Sequence, residues 1–86
     1  MPIYVARIEL KGKVLIEHAE VTVELLEVDR WRGRFLLPTG TAVPRKAKLS
    51  IFFSDGREGH ATVDHVHAAT SKKAPRLVEL TGVGKL

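Results

Sequence analysis

The sequence predicts an all-β fold, a small antiparallel and partly closed barrel or curled sheet of about six strands. Three observations carry this expectation. Apolar residues recur at every second position along most of the chain, and glycine, proline and Asp-Gly interrupt the pattern. The phase of the alternation breaks near Glu17, His18 and Ala19, which asks for a β-bulge or bend of the kind that turns a sheet at a barrel corner. The chain has 86 residues, 44% hydrophobic and 28% charged, which suits a single domain over residues 1–86 with one modest core.

In the first strand, Tyr4, Ala6, Ile8 and Leu10 alternate with Arg7 and Glu9. Lys11-Gly12-Lys13 is expected to turn as a three-residue loop, because that register sets Leu10 against Val14, Ile8 against Ile16 and Arg7 against Glu17. Residues 14–28 admit two readings. Glu17, Glu20, Glu24 and Glu27 have helical spacing, whereas the β-branched run Val21-Thr22-Val23 and the alternation of Ala19, Val21, Val23 and Leu25 favour a strand.

The third strand places Trp31, Gly33, Phe35 and Leu37 on one face and Arg30, Arg32 and Arg34 on the other, and Pro38 ends it. With Leu25 and Trp31 both in the core, Glu24 lies opposite Arg32 and Leu26 opposite Arg30. Residues 38–46 read as a loop. A fourth strand over 47–53 then leads into Ser54-Asp55-Gly56. A three-residue loop with Gly56 at positive φ pairs Ile51 with Gly59, Leu49 with Ala61 and Ala47 with Val63, which keeps the apolar side chains on one face. The fifth strand runs to about Val66 or His67, a basic connection follows, and a sixth strand covers Arg76–Thr81. Val83 and Leu86 are expected to close one end of the core.

Composition narrows the chemistry. There is no cysteine, so disulfides, thiolate metal sites and a Cys nucleophile are excluded. No segment has the length of apolar chain that a membrane helix needs or the form of a signal peptide, and a cytoplasmic location without membrane contact is the default expectation. No serine lies in a Gly-x-Ser-x-Gly turn and no phosphate-cradling Gly-x-x-x-x-Gly-Lys loop occurs, so neither an enzyme nor any cofactor is expected.

Three groups of residues remain as candidate sites. The net charge is +4, divided as −3 over residues 1–29 and +7 over residues 30–86. Arg30, Arg32, Arg34, Arg45, Lys46, Lys48, Lys72, Lys73 and Arg76 could hold the phosphates of a nucleic acid or a nucleotide-type anion, and Tyr4 and Phe52 are the rings left for stacking bases. His65 and His67, two apart on a strand, could give two metal ligands, with His60, Asp64, His18 or Asp29 as further donors. Ile3, Val5, Leu15, Leu26, Leu36, Phe52 and Leu77 fall on the outward parity, and of these Ile3, Val5, Leu36 and Phe52 are the candidate interface.

Arg30-Trp-Arg-Gly-Arg34 resembles the Arg-x-x-x-Arg element of PilZ domains, six-stranded bacterial barrels that bind a cyclic dinucleotide. The resemblance covers these five residues. The family's second element, Asp/Asn-x-Ser-x-x-Gly, has no counterpart at Ser54 or Ser71, and the arginines lie within the run of strands instead of before it. The leading expectation is a non-catalytic binding or assembly module that meets a protein partner or a second copy, as a dimer, through strand edges and an apolar outer face. Binding of nucleic acid or an anion by the basic surface is the alternative, and a histidine-based metal site comes third.

Overall fold

The computed structural model describes residues 3–27, 29–68, 71 and 74–84. Lys72, Lys73 and Leu86 lie outside them. Six strands follow in chain order: β1 (Ile3–Leu10), β2 (Lys13–Glu27), β3 (Arg30–Leu37), β4 (Lys48–Phe53), β5 (Glu58–Val66) and β6 (Arg76–Val83). All neighbours are antiparallel, and the order β1-β2-β3-β6-β5-β4 closes into a barrel. The ambiguous stretch after the first turn is therefore strand. Its β-branched residues Val21 and Val23 are fully buried, as alternation on a pleated surface demands.

The hairpin at Ser54-Asp55-Gly56 has the expected register, with Ile51 opposite Gly59 and Leu49 opposite Ala61. Gly56 takes φ 96°, and its N–H donates to the Phe53 carbonyl at 3.0 Å. Val63 N–H donates to Ala47 O at 2.9 Å and extends the same pairing beyond β4. Asp55 fixes the loop: its carboxylate accepts from Arg57 N–H at 3.1 Å and from Arg57 Nε at 2.8 Å.

The first hairpin departs from expectation. Leu10 pairs with Lys13 and Glu9 with Val14, so the loop is only Lys11-Gly12. Both residues have positive φ, 52° and 81°, the geometry whose twist matches that of the flanking strands. Ile8 nevertheless meets Ile16, because Leu15 is an extra residue in β2 that restores the inward register. A second irregularity sets Glu17 and His18 together opposite Arg7, between the pairs Ile8↔Ile16 and Ala6↔Ala19. This is the parity break that the sequence carries at Glu17–Ala19. It bends β2, so that Lys13–Val21 follows β1 alone while Thr22–Glu27 pairs with β3.

Inward residues of all six strands make one core, including Ile8, Val21, Trp31, Phe35, Leu37, Leu49, Ile51, Val63 and Leu80. Trp31 anchors one end. Its cross-strand partner on β6 is Gly82, and a Cβ built there would fall 1.9 Å from Trp31 Cε2, so the indole occupies the place of a side chain. Gly33 borders the same ring, with an added Cβ at 3.0 Å from Cζ3. Trp31 Nε1 is buried with no hydrogen-bond partner among the described residues.

Three core expectations are corrected at this end of the barrel. Leu25 does pair with Trp31, yet it is 70% exposed, because the indole fills the mouth over Gly82. Leu26 does not face Arg30; it is a bulge residue between the pairs Leu25↔Trp31 and Glu27↔Arg30. Val83 is 68% exposed, since its partner on β3 is the outward-facing Arg30.

Candidate docking surface

Among the described residues the interior contains no buried polar or charged residue, so any site lies on the outside of the barrel. The bend in β2 opens a concavity there. Since the β2–β3 ladder begins only at Thr22↔Arg34, the first half of β2 separates from the end of β3 and leaves an open groove of about 420 Å³. Ile3 from β1, Leu36 from β3 and Leu77 from β6 line it, together with Ile16, Pro38 and the polar residues His18, Glu20 and Arg34. A second groove of about 330 Å³ lies beside it, lined by Val5, Val14, Glu17 and Phe52, and His18 borders both.

Of the expected interface residues, Ile3 is 62% exposed, Leu36 is 57% exposed and Val5 is also exposed. The β3–β6 register sets Leu36 directly opposite Leu77. Phe52 is less available than its outward parity implies. It is half-buried, with the Arg7 guanidinium 4.8 Å from its ring centroid. Leu15 packs against the core instead of joining the outer patch.

The basic residues do not form one surface. Arg30, Arg32 and Arg34 run down the outside of β3, but the register places Glu27 and Glu24 beside them on β2 and Glu79 beside Arg34 on β6. Lys48 begins β4, which stands across the six-strand ring from β3. Arg45 and Lys46 lie exposed in the loop before it, and Arg76 is exposed at the start of β6. Both candidate stacking rings carry an arginine: Arg7 lies over Phe52, and Arg57 lies 4.8 Å from the Tyr4 centroid. Sequence reasoning missed the Arg57 cluster, although Asp55 and Arg57, two apart in a hairpin loop, were its visible sign.

His65 and His67 do come together, with ring centroids 4.4 Å apart and planes at 88°. His67 Nε2 lies 3.2 Å from Glu79 Oε2, an ion pair when the imidazole is protonated. The other proposed donors are elsewhere. Asp64 accepts a hydrogen bond from the Thr81 hydroxyl, His60 Nε2 lies 3.9 Å from Glu58 Oε2, and His18 sits on β2, across the ring from β5. Among the described residues no group of three or more His, Asp or Glu is placed to hold a metal ion.

Fold and surface together define a small closed antiparallel β-barrel with a filled apolar interior and a groove opened on its outside by a bent strand. No protein-family model, curated protein or solved structure matches the chain.

Proposed function

We propose that the chain is a non-catalytic assembly module that docks a second copy of itself on the outer face around the β2–β3 groove. One observation carries this reading: Ile3, Leu36 and Leu77, from three different strands, converge on that single groove. The charges around it favour a copy over an unrelated partner. Glu20 and Arg34 both line the groove, Glu24 pairs with Arg32 next to it, and neither arginine forms an ion pair among the described residues. A two-fold axis between the two strands sets each sign against its opposite twice, as a self-complementary interface requires. Burying about 400 Å² of apolar surface contributes ~10 kcal/mol at ~25 cal/mol per Å², before the entropy of association is subtracted.

Light scattering over a concentration series tests the proposal. The expected result is a dimer that Leu36→Glu converts to monomer while the circular dichroism stays unchanged. A monodisperse 9.5 kDa species at high concentration of the unmutated protein overturns it. The alternative, anion or nucleic-acid binding by the arginines of β3, has less support. Glu24 and Glu79 border the small cleft between Arg32 and Arg34, and carboxylates there repel phosphate.

A further inference from the structure

Across the ring from the β2–β3 groove, the outer face of β4, β5 and β6 holds an open pocket of about 300 Å³. Register builds its lining. Lys48 pairs with Thr62 and Ser50 with His60, all four on the outward parity that alternates with the buried Leu49, Ile51 and Ala61. The four side chains therefore stand as a two-by-two block, with Lys48 and His60 on one diagonal and the hydroxyls of Ser50 and Thr62 on the other. The short Ser50 and Thr62 make the floor, and the lysine is long enough to span the ~7–8 Å diagonal. Val83 of β6, cross-strand from His60, is the apolar side.

The chemistry of this lining is one-sided. The ammonium and the hydroxyls donate hydrogen bonds, the imidazole does so through its N–H, and among the described residues no carboxylate lines the pocket. The carboxylates nearby are Glu58, with Oε2 3.9 Å from His60 Nε2, Glu9, held by Arg7 at 2.8 Å, and Asp64, which accepts from Thr81. Lys48 forms no ion pair among the described residues. Lys46 N–H donates to Val63 O at 2.9 Å, which keeps the exposed Arg45 and Lys46 at the Lys48 end of the same hairpin and adds to the positive field there.

We propose that this pocket binds a small phosphate monoester, with Lys48, Ser50, His60 and Thr62 donating to the phosphate oxygens and Val83 against the organic arm. The proposal goes beyond self-docking and does not depend on it. A phosphate presents several acceptor oxygens to converging donors, and bonds to a charged acceptor are roughly twice as strong as neutral ones. The block accommodates one phosphate, while the acidic partners of the β3 arginines interrupt the basic track that a nucleic-acid backbone needs.

The test is amide-resolved NMR of the full chain titrated with inorganic phosphate, at fixed pH and with sodium chloride holding the ionic strength constant. Saturable shifts are expected at Ser50, His60 and Thr62, half-complete on the order of 1 mM. Lys48→Gln, at an exposed position, is expected to weaken binding about fivefold. Phenyl phosphate is expected to bind several-fold tighter than inorganic phosphate, and Val83→Ser to abolish that preference. Shifts that never saturate, or an unchanged affinity in Lys48→Gln, overturn the site. Equal affinity for the two probes, or a preference that survives Val83→Ser, overturns the monoester assignment.

Discussion

Gly82→Ala isolates the contact that fixes one end of the barrel. The added Cβ falls 1.9 Å from Trp31 Cε2, 2.0 Å from Nε1 and 2.2 Å from Cδ2, where carbon atoms ordinarily keep ~3.5–4.0 Å. The indole therefore has to withdraw by roughly 1.5–2 Å, in an interior where Phe53 packs edge-on at 6.3 Å and Gly33 leaves little clearance. Overpacking of a dense core costs ~1–3 kcal/mol, and complete loss of a buried Trp on the order of 3–5 kcal/mol. The expected cost is ~3 kcal/mol, a large part of the ~5–15 kcal/mol available to a domain. That lowers Tm by roughly 15 °C at ~4–8 °C per kcal/mol. Trp31 is the single tryptophan, so urea unfolding followed by intrinsic fluorescence reports midpoint and environment together, and the variant's native emission should shift to the red. Gly33→Ala, with its contact at 3.0 Å, should cost less. Trp31→Phe should make Gly82→Ala nearly harmless, a coupling that a double-mutant cycle read by circular dichroism measures. An unchanged midpoint and emission for Gly82→Ala refutes the reasoning.

Gly56→Val should lower stability by ~1 kcal/mol or more, because a β-branched residue is strained at the φ of 96°; a denaturation midpoint equal to that of the unmutated protein contradicts this. The backbone N–H of Arg57, followed by its guanidinium, holds the Asp55 carboxyl below its ordinary value of 3.8. A depressed folded-state pKa stabilises the fold above the unfolded value, and this contribution is lost as pH falls through the lower folded value. Carboxyl NMR titration should find the Asp55 midpoint below 3.8, and a midpoint at or above that value removes the Arg57 contribution.

Local pattern and long-range pairing divide what could be read before the structure. Ser54-Asp55-Gly56 was legible because only one loop length keeps Leu49, Ile51, Ala61 and Val63 on a common face. β3 was legible for the same reason, with arginines alternating against Trp31, Phe35 and Leu37. The two-residue turn at Lys11-Gly12 was not, since Leu15 absorbs the difference and Ile8 meets Ile16 under either loop. Leu25 looks like core from its parity, but whether it is covered depends on Gly82, more than fifty residues away. The candidate surface divides likewise. The outward parity of Ile3 and Leu36 is local, whereas their convergence with Leu77 needs the strand order that puts β6 beside β3. The same order separates His18 from His65 and His67, which no spacing in the chain foretells.

The strand order also carries a consequence for how the barrel forms and opens. β1-β2-β3 and β4-β5-β6 are two meanders, each built from neighbours in the chain and joined by residues 38–47. Only two seams zip them together. The β3–β6 seam runs the whole length of both strands, from Arg30↔Val83 to Leu37↔Arg76. The β1–β4 seam covers only Ala6↔Phe53 to Leu10↔Leu49. Each meander forms its contacts across short loops, while both seams must await a distant partner and its loop-closure entropy. The shorter seam is the natural last step of closure and the first to part. The cylinder thus behaves as a hinged clamshell whose clasp is β1 on β4, and amide exchange at Arg7–Glu9 reads how often it opens.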